Sequence, residues 1–131
     1  MTAVRLNFKG MCARFDATPR TLRYYEYIEL LAPENHGRSR FYGPRELARM
    51  TLILRNRRFG FSLEEIRQWL LIYEEQGSAA QLAAAVAMSF RQLFKLQRQS
   101  VELVASIAEL RGLRGMALDE ITRLAGKDTE I

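Results

Sequence analysis

Arg20, Arg23, Tyr24 and Tyr27 recur at i, i+3, i+4 and i+7, which puts two guanidiniums and two phenols on one stripe of a helix. A guanidinium can grip two acceptors at once on guanine or on a phosphate, and a phenol can donate a bond to phosphate. Such a stripe therefore suits a polyanionic duplex. A stripe facing the protein core would not carry two arginines. Leu22 and Ile28 fall off the stripe and point toward a core instead. The plain alternative is a salt-bridged solvent face, but the nearby acids are few, Glu26 and Glu29. A second basic group, Arg38, Arg40 and Tyr42, alternates as residues on one face of a strand do. A third, Arg55, Arg57 and Arg58, ends a helical pattern, where cations would also complement the negative end of the helix dipole.

Other chemistries are poorly served. The sequence has one cysteine, Cys12, and one histidine, His36, so an internal disulfide is ruled out. A Cys/His metal site within one chain would need more ligands, and no metal or other cofactor is expected. Cys12 lies in an apolar periodic segment and His36 in a polar loop, with no third group to orient a nucleophile. The sequence therefore reads as a protein that is not an enzyme. No apolar run approaches the ~18 residues of a membrane span, and the N-terminus lacks the apolar core of a signal peptide. A cytoplasmic protein with no membrane partner is expected. The net charge is +5, but it is unevenly placed. Residues 1–59 hold twelve Lys/Arg against five Asp/Glu, and residues 60–131 hold eight against ten. The basic half marks the end that would meet a polyanion.

The elements that must position these groups are marked by local signals. Phe8, Met11, Cys12 and Phe15 form one face of a short first helix. After the break at Asp16-Ala17, Thr18-Pro19 starts a second helix running to about Glu29, with Thr18 as cap and proline where a missing N–H costs nothing. Two helices joined so briefly make a helix-turn-helix. Residues 32–42 form the hairpin that makes it winged. Gly43-Pro44 opens a third helix with Leu47, Met50 and Leu54 inward, and Gly60 ends it. Ser62 and Glu65 fit a capping box at the start of a fourth helix, whose Ile66, Trp69, Leu70 and Tyr73 form a packing stripe.

From about Ala79 to Leu113 there is no proline, and Gly112 is the first glycine, so a helix of roughly 34 residues and ~50 Å is expected. Leu82, Val86, Ser89, Leu93, Leu96, Ser100, Leu103, Ile107 and Leu110 follow heptad spacing along it, and seven of the nine are apolar. A lone helix cannot bury such a seam, and a second copy of the chain is the simplest partner. The fold class is thus mostly α: a winged helix-turn-helix head over residues 1–76, a dimerisation coiled-coil helix over 77–113, and a short tail over 114–131.

The run Thr18-Pro19-Arg20-Thr21-Leu22-Arg23-Tyr24-Tyr25-Glu26 resembles the second helix of the MerR family of bacterial transcription regulators. The resemblance continues through Leu30-Leu31-Ala32-Pro33, Arg40-Phe41-Tyr42 and Arg58-Phe59-Gly60-Phe61-Ser62-Leu63-Glu64-Glu65-Ile66, covering about residues 6–74. Gly10 stands where a polar helix former is usual, and Asp16 and Glu29 stand where glycine is common. The family's metal and redox sensors carry cysteines around the dimer helix, and here none follows Cys12. Its drug sensors append a large C-terminal domain, and here about 18 residues remain after the expected helix. The resemblance implies an antiparallel coiled-coil homodimer on a pseudo-palindromic site in double-stranded DNA, distorting a promoter so that RNA polymerase can engage it.

Within that frame the second helix lies in the major groove with Arg20 reading a base edge. Thr18, Arg23, Tyr24 and Tyr25 would hold phosphates, with Thr21 also among the DNA-binding residues, the wing residues Arg38, Arg40 and Tyr42 would track the backbone beside it, and Arg55, Arg57 and Arg58 would add attraction. The dimer interface would be Leu82, Val86, Leu93, Leu96, Leu103, Ile107 and Leu110. The competing reading is a non-catalytic helical adaptor for another protein, which would have no need of the arginine-tyrosine stripe.

Overall fold

The computed structural model describes residues 4–129. The first three and last two residues, part of the expected head and tail, lie outside the described residues. The chain divides into two units, residues 1–86 and 87–131. In the first, β1 (Leu6–Asn7) leads into α1 (Phe8–Phe15), α2 (Pro19–Tyr27), β2 (Glu34–His36), β3 (Ser39–Tyr42), α3 (Pro44–Arg58) and α4 (Leu63–Gln76). The last helix, α5 (Ser78–Thr129), begins in this unit and makes up the second.

α1, α2 and α4 start where a local side chain satisfies an orphan N–H, whereas α3 starts at Gly43-Pro44 with no side-chain cap. The Asn7 side chain accepts from Gly10 N at 2.8 Å. A Cβ on Gly10 would sit 3.1 Å from that same Asn7 oxygen, so glycine keeps the cap uncrowded. Thr18 accepts from Thr21 N at 3.1 Å, with Pro19 in the first turn. The Ser62/Glu65 capping box closes in both directions, each bond 3.1 Å. The two positions where glycine was expected are left-handed, Asp16 at φ 50° and Glu29 at φ 64°. Glu29 carries this conformation without the local side-chain bonding that aspartate or asparagine can offer, at a cost of ~1–2 kcal/mol.

The sheet has the order β1-β3-β2 and is antiparallel throughout. Leu6 and Asn7 pair with Tyr42 and Phe41, and Glu34, Asn35 and His36 pair with Phe41, Arg40 and Ser39. The hairpin was expected, but β1 was not, because two residues ahead of a helix carry no periodicity. Gly37 takes φ 64° at the turn, which leaves Arg38 in the turn and outside the strand.

Met11, Leu22, Leu30, Tyr42, Met50, Ile53 and Ile66 are fully buried and tie both helix pairs and the sheet into one core. Burying a side chain such as Leu22 contributes ~1.5–3 kcal/mol. Trp69 is half-buried, as its stripe required, and its Nε1 donates to the Gln81 carbonyl at 3.0 Å. Tyr73, placed on the same stripe, is exposed. One acid is buried among these residues: Glu46 accepts from Ala32 N at 2.9 Å and from Arg45 at 2.6 Å. One turn further along α3, Arg49 donates to the Leu30 carbonyl at 2.9 Å and to Glu74 of α4 at 3.2 Å. The connector from α2 to the wing is thereby pinned to α3 by two charged side chains, and α3 to α4.

The expected helix end at Leu113 is corrected. α5 runs for 52 residues, through the segment expected as a tail. Gly112, Gly115 and Gly126 each weaken a helix by up to ~1 kcal/mol without stopping it, and no proline follows them. The heptad residues Leu82, Val86, Leu93, Leu96, Leu103, Ile107 and Leu110 are all exposed in the single chain, as are Leu113, Ile121 and Leu124 beyond them. Among the described residues no helix is long and apolar enough to cross a membrane.

Replacing Glu46 by alanine removes the acceptor of a backbone N–H and the partner of Arg45, so Glu46→Ala is expected to lower stability by ~1–3 kcal/mol. A urea midpoint equal to that of the parent chain would show that the pin contributes nothing.

Candidate nucleic-acid interface

α2 is only nine residues long and divides cleanly into faces. Leu22 and Tyr25 point inward and are buried. Arg20, Arg23, Tyr24 and Tyr27 point outward, with Tyr24 50% and Tyr27 84% exposed. Large exposed phenols beside two guanidiniums are poor solvent-face residues and good duplex-face residues. Thr18 is exposed at the positive end of the helix dipole, and its hydroxyl accepts from Thr21 N and donates to the Thr21 hydroxyl at 2.9 Å.

Beside this face lies a surface hollow of about 410 Å³, lined by Phe8, Lys9, Arg23, Arg38, Arg40 and Phe41 among others. Four cations from α1, α2 and the wing thus converge on one depression. Arg23 lies with its guanidinium carbon 5.3 Å from the Phe8 ring centre and Arg40 with its own at 5.8 Å, both within cation–π range. Sequence reasoning found Arg23, Arg38 and Arg40 but missed Lys9 and Phe8. Both begin α1, and only the folded chain brings them beside the wing.

Two expected contact residues are corrected. Tyr42 is fully buried and Tyr25 is 6% exposed, so neither can reach a duplex. Arg40 and Tyr42 do share a strand face, as alternation implied, but that face is turned toward α2. There Tyr42 donates its hydroxyl to Glu26, and Arg40 pairs with Glu26 at 2.9 Å. Burial first, and then the hydrogen bond to the Glu26 carboxylate, hold the Tyr42 phenol well above its ordinary range. Burial also raises Tyr25, and the nearby charge of Arg57 partly opposes it.

Of the third basic group, Arg57 donates to the Phe61 carbonyl at 3.1 Å and so helps to close the α3–α4 turn. All three of Arg55, Arg57 and Arg58 are exposed. No group of three or more His, Cys, Asp or Glu that could hold a metal ion is gathered among the described residues.

A helix-turn-helix with a three-stranded wing and an outward arginine-tyrosine face defines the winged class of DNA-binding regulators. The profile described as MerR HTH family regulatory protein matches residues 7–71, and the one described as MerR, DNA binding matches residues 47–113. The chain is similar to an uncharacterized HTH-type transcriptional regulator of Pseudomonas aeruginosa, 38% identical over 124 residues, covering 92% of this chain and 86% of that one. It is also similar to the HTH-type transcriptional regulator HmrR of Rhizobium leguminosarum bv. viciae, 34% identical over 110 residues, covering 83% and 78% of the two chains. The fold is shared with a MerR family regulator from Bacillus cereus, with a TM-score of 0.59, 22% identity, and 98% and 87% of the two chains covered. It is shared also with HiNmlR, a MerR family regulator lacking the sensor domain that was solved bound to promoter DNA, with a TM-score of 0.58, 18% identity and 79% of each chain covered. This chain belongs to the MerR family of DNA-binding transcription regulators.

The raised phenols set an alkaline limit. Tyr42 ionises in the unfolded chain near 10 and only at higher pH when folded, so its contribution is intact below pH 10 and lost as pH climbs toward the folded value. Thermal melts of Tyr42→Phe are expected to fall less steeply above pH 10 than those of the parent chain. Parallel curves would contradict the link between the buried phenol and alkaline unfolding.

Proposed function

We propose that the chain acts as a homodimer on a pseudo-palindromic promoter site in double-stranded DNA, distorting it so that RNA polymerase can engage, and that it works in the cytoplasm by binding alone without catalysing a reaction. The observation that carries this reading is the outward face of α2 beside a hollow lined by four cations. Arg20 reads a base edge in the major groove, where a guanidinium can take both acceptors of guanine. Thr18, Thr21, Arg23 and Tyr24 hold phosphates and set the register, with Lys9, Arg38 and Arg40 alongside in the hollow. Arg55, Arg57 and Arg58 add attraction at longer range. HiNmlR bound to promoter DNA supports the mode, since the fold is the same.

The dimer rests on α5. Its Leu82, Val86, Leu93, Leu96, Leu103, Ile107 and Leu110 keep heptad spacing and stay exposed in one chain. Each such side chain gives up part of the ~1.5–3 kcal/mol that full burial would bring, and a matching helix would recover it. Two heads joined by such a pair present two copies of α2, and a two-fold protein mirrors a two-fold site. The helical adaptor is disfavoured by the arginine-tyrosine face.

Binding to a randomised duplex library gives the operator, and Arg20→Ala on that operator is expected to lose discrimination at one base per half-site, costing ~1–3 kcal/mol. Uniform weakening on every sequence would remove Arg20 from base reading. In sedimentation, Leu96→Asp is expected to run as a monomer and to bind a full site poorly. An intact dimer would break the seam assignment.

A further inference from the structure

Glu26 is the one acid of α2, and it reaches the wing. Its side chain is 15% exposed, and it holds both wing residues that face α2, Tyr42 through its hydroxyl and Arg40 at 2.9 Å. Arg40 in turn shares the Phe8 ring with Arg23 of α2. A helix cation and a wing cation thus rest against one aromatic ring, and such a pair repels. The carboxylate bonded to Arg40 offsets that repulsion and fixes the wing cation to the helix that carries Arg20.

A carboxylate is otherwise out of place here. It adds a negative charge beside a surface that meets phosphates, so it weakens attraction to any duplex. A residue that costs affinity on all sequences is useful if it constrains geometry, because specificity is a difference of affinities. The structure assigns Glu26, we infer, as a specificity-determining positioning residue: it touches no DNA, and it holds the wing at a fixed spacing from α2 so that helix and wing fit one sequence together. This rests on the DNA-binding mode proposed above. With Glu26 in place, the wing adds to binding only where groove width and phosphate position match that spacing. Without its charge, Arg40 is free to find a phosphate on any duplex.

Glu26→Gln keeps the acceptor for Tyr42 and removes the charge that holds Arg40. It is expected to bind random duplex as tightly as the parent or more so, with a salt slope steeper by about one released cation. Its ratio of operator to random affinity is expected to fall about five- to tenfold. A variant that was merely misfolded would lose both affinities and flatten the slope. Arg40→Gln and the Glu26→Gln/Arg40→Gln pair complete a cycle. The double variant is expected to match Arg40→Gln alone in specificity ratio, since Glu26 acts through Arg40. Should Glu26→Gln fail to give a cooperative melt, Arg40→Lys answers the same question, because it keeps the charge and loses the planar grip. It is expected to weaken operator binding by a larger factor than random-duplex binding, and so to lower the specificity ratio. An unchanged ratio in Glu26→Gln, or in Arg40→Lys where that variant stands in, overturns the assignment. So does a double variant whose losses add. If the parent chain prefers no duplex at all, the DNA-binding mode itself has failed, and the two failures are thereby distinct.

Discussion

A nine-residue helix does not hold itself together in water, and the head is built around that fact. Helices shorter than ~12–15 residues are marginal even with favourable sequences. α2 persists because Leu22 and Tyr25 are fastened into the core, Thr18 closes its first turn, and Glu29 turns the chain sharply at its end. The outward arginine-tyrosine face is therefore the back of a packed element. Its outward side chains can be chosen for their ligand, because the inward ones supply the stability. α1 stands beside it, α3 carries the buried Glu46 that grips the connector, and the wing leans on Glu26.

Charge is used in two ways in this head. Arg20, Arg38, Arg55 and Arg58 stand in solvent, and the proposed DNA binding would draw on them. Arg45, Arg49 and Arg57 are engaged within the protein, with Glu46, with Glu74 and with the Phe61 carbonyl. Arg40 belongs to both sets, facing the hollow while paired with Glu26. Counting arginines therefore overstates the free positive surface. Position within the fold decides which cations remain available.

Much of this was legible because the signals were local. Thr18-Pro19, Gly43-Pro44 and the Ser62/Glu65 box each announce a helix start within four residues, and the structure places α2, α3 and α4 there. The outward stripe of α2 followed from spacing alone. What stayed hidden depended on partners distant in sequence. Tyrosine suits either surface or core, so Tyr25 and Tyr42 could not be assigned until the elements around them were in place. Glu46 looked like any first-turn acid, yet its acceptor role needs Ala32, fourteen residues away. β1 exists only because β3 passes beside it. The length of α5 was misjudged for a different reason: glycine lowers helix propensity without forbidding the helix, and no proline stands in the segment to close it.

The left-handed turn at Glu29 has a bearing on how binding is paid for. A glycine there would be at ease in many conformations, and the segment joining α2 to the wing could swivel between them. Glutamate admits few, and Leu30 and Ala32 on either side of the connector's midpoint are already anchored to α3. The strain is thus exchanged for rigidity. In the proposed binding mode a duplex would meet a helix and a wing whose relative setting is already chosen, and little ordering would remain to be done on contact.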